Sequence, residues 1–345
     1  MSESARPRIL IVKLSSLGDV VHSLPVVSAL RRRYPQAHLG WCVGRKAAAL
    51  VAGHPLLDVT FVLDAQAPGE EGPVVRGGWR ELGRSMRAHR FEVALDLQGL
   101  LKSAWLAYLS GARRRVSYQT WQEGAFLLNR VRAIPPARSK HAVEGYLDFA
   151  RYLDAPGEPV EFVVPTCPER ERRAEALLAQ VGAGKEAAMI LPSTLWESKQ
   201  WPAVRLGETA GQLAAWGLRP LVLGGPVDRE RCEAVVAAAG GAAVSLAGKT
   251  EVADLAPLLA RARLVVGNDS GPVHLAAALG VPVVAVFGPT NPTLTRPYGE
   301  RVAVVRAEVA CSPCRRRRCP SLICQDRVQV ADVTAAAGRL LGLAA

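Results

Sequence analysis

Short apolar runs alternate with stretches of helical spacing along the whole chain, the pattern of parallel α/β layers. In the first half, Ile9–Leu14, Leu39–Val43, Val59–Leu63 and Val93–Leu97 predict buried strands. In the second half Ala188–Leu191, Pro220–Leu223, Leu264–Val266 and Val281–Phe287 do the same. Between the halves, proline and charge concentrate at Ala155–Pro168, the composition of an interdomain connection. The expected organisation is two doubly wound domains, residues 1–165 and 166–345, facing a central cleft. Each would bind ligand at the carboxyl ends of its strands. The segment Asp64–Gly78 has no apolar periodicity and reads as a mobile loop of the first domain.

The residues just after the predicted strands carry the candidate chemistry. After Ile9–Val12 the chain breaks at "SSLG" and places Asp19 where an amphipathic helix is expected to begin. Capping that helix is the structural alternative for this acid. In "LVVGNDSGPVHLAAALGVPVVAVFGPT", a strand runs into Gly267–Gly271 and then into a helix carrying His274. Unpaired amides and the positive dipole at such a helix start suit an anion. Asp269 capping the helix, and His274 as a buried structural residue, are the plainer readings there. "LPSTLWESKQWP" repeats the arrangement: Ser193 and Thr194 offer hydroxyls, and Lys199 a point charge suited to a diphosphate.

Several familiar motifs fail. "AVSLAGKT" ends like a phosphate-binding loop, but Ala243 stands where its first glycine belongs. No GxGxxG follows a strand, and no Asp-x-Asp pair is present to hold a diphosphate through a metal ion. Helix termini and lysine would therefore have to carry the negative charge.

Composition narrows the partners. A net charge of +12 over 345 residues points to an anionic one: nucleic acid, an acidic membrane surface or phosphate-bearing substrates. No secretory leader is evident at the N-terminus, and no run approaches the length of a spanning helix. Seven cysteines, three of them scattered (Cys42, Cys167, Cys232), argue for a reducing compartment. The other four fall in "CSPCRRRRCPSLIC", where Cys311, Cys314, Cys319 and Cys324 leave a structural zinc, a disulfide and free thiols all open. A zinc-stabilised nucleic-acid tail is the rival reading of that segment, though no aromatic residue interleaves to stack on bases.

Taken together, "KLSSLGDVVHSLP", "DLQGLLKSA", "KHAVE", "WESKQWP" and "GNDSGPVHLAAALGVPVVAVFGPTNP" resemble the lipopolysaccharide core heptosyltransferases of glycosyltransferase family 9, from about Arg8 to Tyr298. The resemblance implies a GT-B fold, with acceptor in the N-terminal domain and nucleotide sugar in the C-terminal one. It implies inverting transfer of heptose from ADP-heptose to a Kdo residue of Kdo-lipid A, with no required cofactor. The form of the lysine loop favours the member that adds the first heptose; addition of the second is the alternative within the family. By position, the resemblance makes Asp19 the catalytic base. It makes Thr194, Leu195, Lys199, Glu230, Thr250, Asp269, Ser270, Gly271 and His274 the ADP-heptose contacts. Inversion does need one carboxylate to take the acceptor proton as the anomeric carbon becomes cationic. Lys102 and Arg113, in the run Arg113–Arg115, are the candidates for the acceptor's carboxylates and phosphates. The expected location is cytoplasmic, at the inner face of the inner membrane, with no nucleic acid bound. From another class, a basic nucleotide- or nucleic-acid-binding protein without transferase activity is the alternative.

Overall fold

A computed structural model describes residues 6–343 apart from 65, 67, 68, 120, 121, 130, 137 and 138. The chain divides into two units, Met1–Pro165 and Thr166–Ala345. Among the described residues, no helix is long and apolar enough to cross a membrane.

The first unit runs β1 (Arg8–Val12), α1 (Leu17–Arg33), β2 (His38–Gly44), β3 (Val59–Leu63), β4 (Gly69–Glu71), β5 (Val74–Gly77) and α2 (Trp79–Ala88). It continues with β6 (Val93–Asp96), α3 (Leu101–Leu109), β7 (Arg114–Tyr118), β8 (Val131–Ile134) and α4 (Ala142–Arg151). The sheet order is β4-β5-β3-β2-β1-β6-β7-β8, parallel except for the β4–β5 pair. Strand order therefore reverses between β1 and β6, and the gap beyond their carboxyl ends is where a doubly wound sheet takes its ligand. Leu10, Val12, Cys42, Phe61 and Ala94 fill one face with Leu106 and Ala107 of α3.

Three expectations for this unit are corrected. Within Asp64–Gly78, residues 65, 67 and 68 lie outside the described residues. The rest holds an antiparallel pair, β4–β5, that joins the sheet because Val74 and Val75 bury against it. Helix α1 is not amphipathic: every residue from Val20 to Leu30 is buried, His22, Ser23 and Ser28 included. The run Arg113–Arg115 is not one basic face. Two of its residues belong to β7, where the alternation of a strand turns Arg115 inward and Arg114 outward.

The second unit runs α5 (Pro168–Gln180), β9 (Ala187–Leu191), α6 (Ala203–Ala215), β10 (Arg219–Val222), α7 (Arg229–Ala238), β11 (Val244–Ser245) and α8 (Val252–Ala260). Then come β12 (Leu264–Asn268), α9 (Gly271–Ala278), β13 (Val283–Phe287), α10 (Pro292–Thr295), β14 (Val302–Arg306), α11 (Ile323–Asp326) and α12 (Val330–Leu341). Its sheet is wholly parallel, in the order β11-β10-β9-β12-β13-β14, and reverses between β9 and β12. Strands read as continuous apolar runs because both faces are covered by helices. Gly207 lets α6 approach α7: a Cβ there would stand 2.5 Å from the Val235 carbonyl oxygen.

Candidate active site

Each sheet brings a charged cluster to its switch point. In the first unit β1 leads into Ser16, the N-cap of α1, and Asp19 sits at the third helical position. Asp19 Oδ2 accepts from the Ser16 amide (3.0 Å) and hydroxyl (2.7 Å), which closes a capping box. Its other oxygen, Oδ1, accepts from the Tyr146 hydroxyl of α4 at 3.2 Å. The acid is thus a first-turn residue that locks the cap, rather than the cap itself. Half-burial opposes its charge, but the Lys13 ammonium, the Ser16 bonds and nearby His22 prevail and lower its pKa to about 2. Asp19 is a carboxylate at any physiological pH.

Lys13 is buried at the end of β1, with its ammonium over the Tyr146 ring and 3.3 Å from the Leu97 carbonyl. Burial lowers its pKa, and the Asp19 and Asp96 carboxylates pull the other way. Asp96 closes the loop after β6: it accepts from the Gln98 and Gly99 amides and, through Oδ2, from Asn129. Gln98 in turn accepts from the Leu14 and Ser15 amides. The loops after β1 and β6 are therefore bonded to each other, and Asp19 is fixed where strand order reverses.

Lys102, exposed at the start of α3, lies at this same carboxyl edge. Arg113 does not. The register pairs Val93 with Arg114, so Arg113 lies beside the opening of β6, four residues along the strand from Asp96 or about 13 Å. Its neighbours are otherwise engaged. Arg114 bonds the Tyr152 hydroxyl (2.6 Å), and Arg115 is buried with its guanidinium on the Ala112 and Leu128 carbonyls. Lys102 and Arg113 are therefore not brought together at one edge of the sheet.

In the second unit, the loops after β9, β10, β11, β12 and β13 line one carboxyl edge. Thr194, Leu195 and Lys199 follow β9; Glu230 opens α7; Thr250 precedes α8; Asp269, Ser270 and Gly271 follow β12; His274 lies in α9. Ser270, not Asp269, is the N-cap of α9. Asp269 is buried with both oxygens occupied: Oδ1 meets His274 Nε2 at 3.1 Å, and Oδ2 meets Lys199 Nζ and the Thr290 hydroxyl, each at 2.6 Å. Burial disfavours its charge, yet His274 and Lys199 hold it well below the usual carboxylate range. It fixes Lys199, His274 and Thr290 around one carboxylate beside the start of α9. Lys199 also lies over the Trp196 ring, 4.7 Å from its centroid. Leu195 projects from its loop and is 90% exposed, and Glu230 is exposed at its helix start.

Two hydroxyls stand out here. Ser193 Oγ and Ser270 Oγ are buried, and the described residues offer neither a hydrogen-bond partner. They follow β9 and β12, the pair between which strand order reverses. A buried polar group without a partner is costly, by about 1–3 kcal/mol, so two together mark a place for ligand or ordered water. The loop that carries Ser193 is stiff. Asn268 accepts from the Trp201 amide and donates to the Pro192 carbonyl, and Arg231 donates to that same carbonyl.

The description glycosyltransferase family 9 (heptosyltransferase) matches residues 79–323. The lipopolysaccharide heptosyltransferase 1 of Pseudomonas aeruginosa is 33% identical over 319 residues, which cover 90% of this chain and 87% of that one. The chain belongs to glycosyltransferase family 9. Heptosyltransferase 2 of Escherichia coli K12 is 28% identical over 87% of this chain and 88% of its own. Among solved structures, E. coli heptosyltransferase WaaC with ADP superposes with a TM-score of 0.70 at 26% identity, covering 96% of this chain and 99% of that one. E. coli heptosyltransferase II gives 0.78 at 24%, with 97% and 98% covered. Two Rossmann-like units in this order are the GT-B architecture, and the chain is a glycosyltransferase of that family.

In this family 9 enzyme the cysteine-rich segment packs on the loops at the carboxyl edge of the second unit's sheet. Ser198 donates its amide to the Arg317 carbonyl and its hydroxyl to the Arg316 carbonyl, and the Arg317 guanidinium lies over Trp196. Arg315 donates to Pro289, and the Ser312 hydroxyl to Gly288. Of the zinc, disulfide and free thiols left open for the segment's four cysteines, the structure shows free thiols. Cys311 and Cys314 are exposed, Cys324 is buried, and no described group of three or more His, Cys, Asp or Glu is arranged as ligands. Sequence reasoning missed Lys13, Tyr146, Thr290, Arg231 and Asn268 as members of these clusters. Tyr146 had no local signal, for it lies 127 residues from Asp19. Asn268 had one, as the last strand residue before the Asp269–Ser270 turn.

Proposed function

We propose that this enzyme transfers heptose from ADP-heptose to a Kdo residue of Kdo-lipid A, with inversion at the anomeric carbon. The observation that carries the reading is the pair of partnerless hydroxyls, Ser193 and Ser270, beside the tethered Lys199 cation. Phosphoryl oxygens would satisfy both hydroxyls, and the lysine would take up the charge that the diphosphate gains on leaving. The Gly271 amide, at the first position of α9 where a helix supplies its N–H groups no partner, adds a donor and the helix dipole. Glu230 would bond ribose hydroxyls, with Thr194, Leu195 and Thr250 lining the donor. A 26%-identical relative solved with ADP supports the nucleotide. No metal is required by this arrangement.

Asp19 would receive the acceptor proton. With a pKa of about 2 it is a weak base, which fits a late transfer. Once the acceptor oxygen has bonded to an oxocarbenium-like carbon its proton is strongly acidic, and a feeble carboxylate suffices. Lys102 remains the candidate for the acceptor's anionic groups. Relatives named heptosyltransferase 1 reach 33% and 30% identity against 28% for a heptosyltransferase 2, which favours addition of the first heptose. Such an acceptor lies at the cytoplasmic face of the inner membrane, and the enzyme would work there.

Incubation with ADP-heptose and defined acceptors, read by mass spectrometry, tests the proposal. Kdo-lipid A should gain one heptose. Transfer solely to an acceptor already carrying heptose would move the assignment to the second addition. Salt-sensitive nucleic-acid binding with no sugar transfer would overturn it.

A further inference from the structure

Helix α3 is apolar on two sides. Its inner side buries Ser103, Ala104, Leu106 and Ala107 against the sheet. Its outer side presents Leu101, Trp105 and Tyr108, spaced i, i+4, i+7, and each more than two-fifths exposed. Trp105 and Tyr108 stack with centroids 5.5 Å apart. Trp79 from α2 and Leu127 from the turn Gln122–Leu127 complete the face, and Leu127 is 75% exposed. A groove of about 720 Å³ runs between them, with Leu100, Leu128, Lys102 and Glu123 on its walls. Single exposed apolar residues need no explanation, but a contiguous set of five large ones does.

The surroundings are basic. Arg80, Arg84 and Arg87 of α2 are exposed and spaced i, i+4, i+7. That stripe borders α3: Gly83 faces Leu109, and the Arg87 side chain reaches Gly111 just past the helix end. Lys102 adds a cation at the groove. The acids here are Glu81, on α2, and Glu123, whose carboxylate accepts from the Leu101 amide. Amphipathic aromatics and leucines ringed by arginine and lysine match the headgroup region of an anionic bilayer.

We propose that this face of the first unit, centred on Trp105 and Leu127, docks the enzyme on an anionic phospholipid surface. The choice of partner rests on the membrane acceptor proposed above; the face itself does not. Trp79, Trp105, Tyr108, Leu101 and Leu127 enter the interface, and the α2 arginines meet lipid phosphates. Since the face adjoins Lys102, docking holds the carboxyl edge of the first sheet close to the headgroups.

Vesicle co-sedimentation of the full chain, without nucleotide sugar, tests this. The probes are phosphatidylcholine vesicles and the same vesicles containing phosphatidylglycerol. The wild type should bind the mixed vesicles, more weakly in high salt, with a blue shift of tryptophan emission. The Trp105→Ser/Leu127→Ser double variant should bind about tenfold more weakly or worse, for it removes two large apolar anchors. Arg84→Glu/Arg87→Glu should lose the preference for phosphatidylglycerol. Val204→Ser, which removes an exposed apolar side chain of α6, should bind as the wild type does. Thermal unfolding checks that every variant is folded, and transfer to an acyl-free Kdo acceptor should be unchanged in Trp105→Ser/Leu127→Ser. Equal vesicle binding by that variant and the wild type overturns the docking face. So does absence of vesicle binding, or a variant that changes the oligomeric state instead, which would give the face to a second copy. Loss of vesicle binding with transfer intact leaves the enzymatic reading standing; loss of transfer in the wild type with vesicle binding intact does the reverse.

Discussion

Asp19 and Asp269 are both buried or half-buried carboxylates held ionised beside a lysine, yet their oxygens are differently engaged. Asp269 has no oxygen to spare, whereas Asp19 keeps one oxygen whose partner is a tyrosine hydroxyl at 3.2 Å. Asp19→Asn should cut transfer by about 10²–10⁴-fold while leaving ADP affinity unchanged by calorimetry, the span expected for a lost general base. Near-normal turnover in that variant would remove Asp19 from the mechanism. A second outcome concerns pH. Asp19 falls from an ordinary 3.8 to about 2 in the folded protein, so it contributes stability above about pH 4. That contribution disappears as pH drops toward 2. Wild type and Asp19→Asn should differ by about 1 kcal/mol in urea unfolding at pH 6, a surface-screened cap interaction, and converge near pH 2. Lys199→Ala should weaken ADP binding and also lower the unfolding temperature, because Asp269 would lose the Lys199 ammonium while remaining buried.

At the level of elements, the carboxyl edge of the second sheet depends on how its helices are pinned to one another. Asp254 of α8 is buried, accepts from Arg170 of α5 at 2.8 Å and from the Glu251 amide at 2.9 Å, and has Arg173 at 3.4 Å. It ties α5 to the start of α8, immediately after Thr250. Asp254→Ala would leave Arg170 with Glu251 as its acidic partner and open the cap, costing about 1–2 kcal/mol in denaturant unfolding. If Thr250 meets the donor, ADP-heptose affinity should fall as well. The α6–α7 contact is tighter still. Gly207→Ala should lower stability by about 1–3 kcal/mol through overpacking, with little effect on ADP binding once the protein is folded.

For the molecule as a whole, two sheets carry two cores, and the ligands proposed for them differ in kind. ADP at about a hundred times its dissociation constant should stabilise the unit that binds it by about 2.7 kcal/mol. Hydrogen exchange should then slow at β9 and β12 amides and stay unchanged at β1 and β6. Slowing at β1 alone would place the nucleotide in the wrong unit. Eight strands, β1, β2, β3, β6, β9, β10, β12 and β13, were legible in the sequence because buried parallel strands are unbroken apolar runs. Strands β4, β5 and β7 were not. Arg114–Tyr118 and Gly69–Gly77 are polar or glycine-rich, and they pair because a sheet edge is already in place to receive them. The ligand loops were legible for the same reason as the inner strands: a loop that leaves a buried strand at a reversal of order faces the site. Sequence alone thus determined the two-unit α/β order, Asp19 and the Ser193–Lys199 and Asp269–His274 turns. Tertiary structure decided which side chains reach them. It sent Arg113 to the far edge, gave Asp269 to Lys199 and His274, and brought Tyr146 to Asp19. Strand register and helix packing join residues a hundred positions apart, and no local pattern encodes that distance.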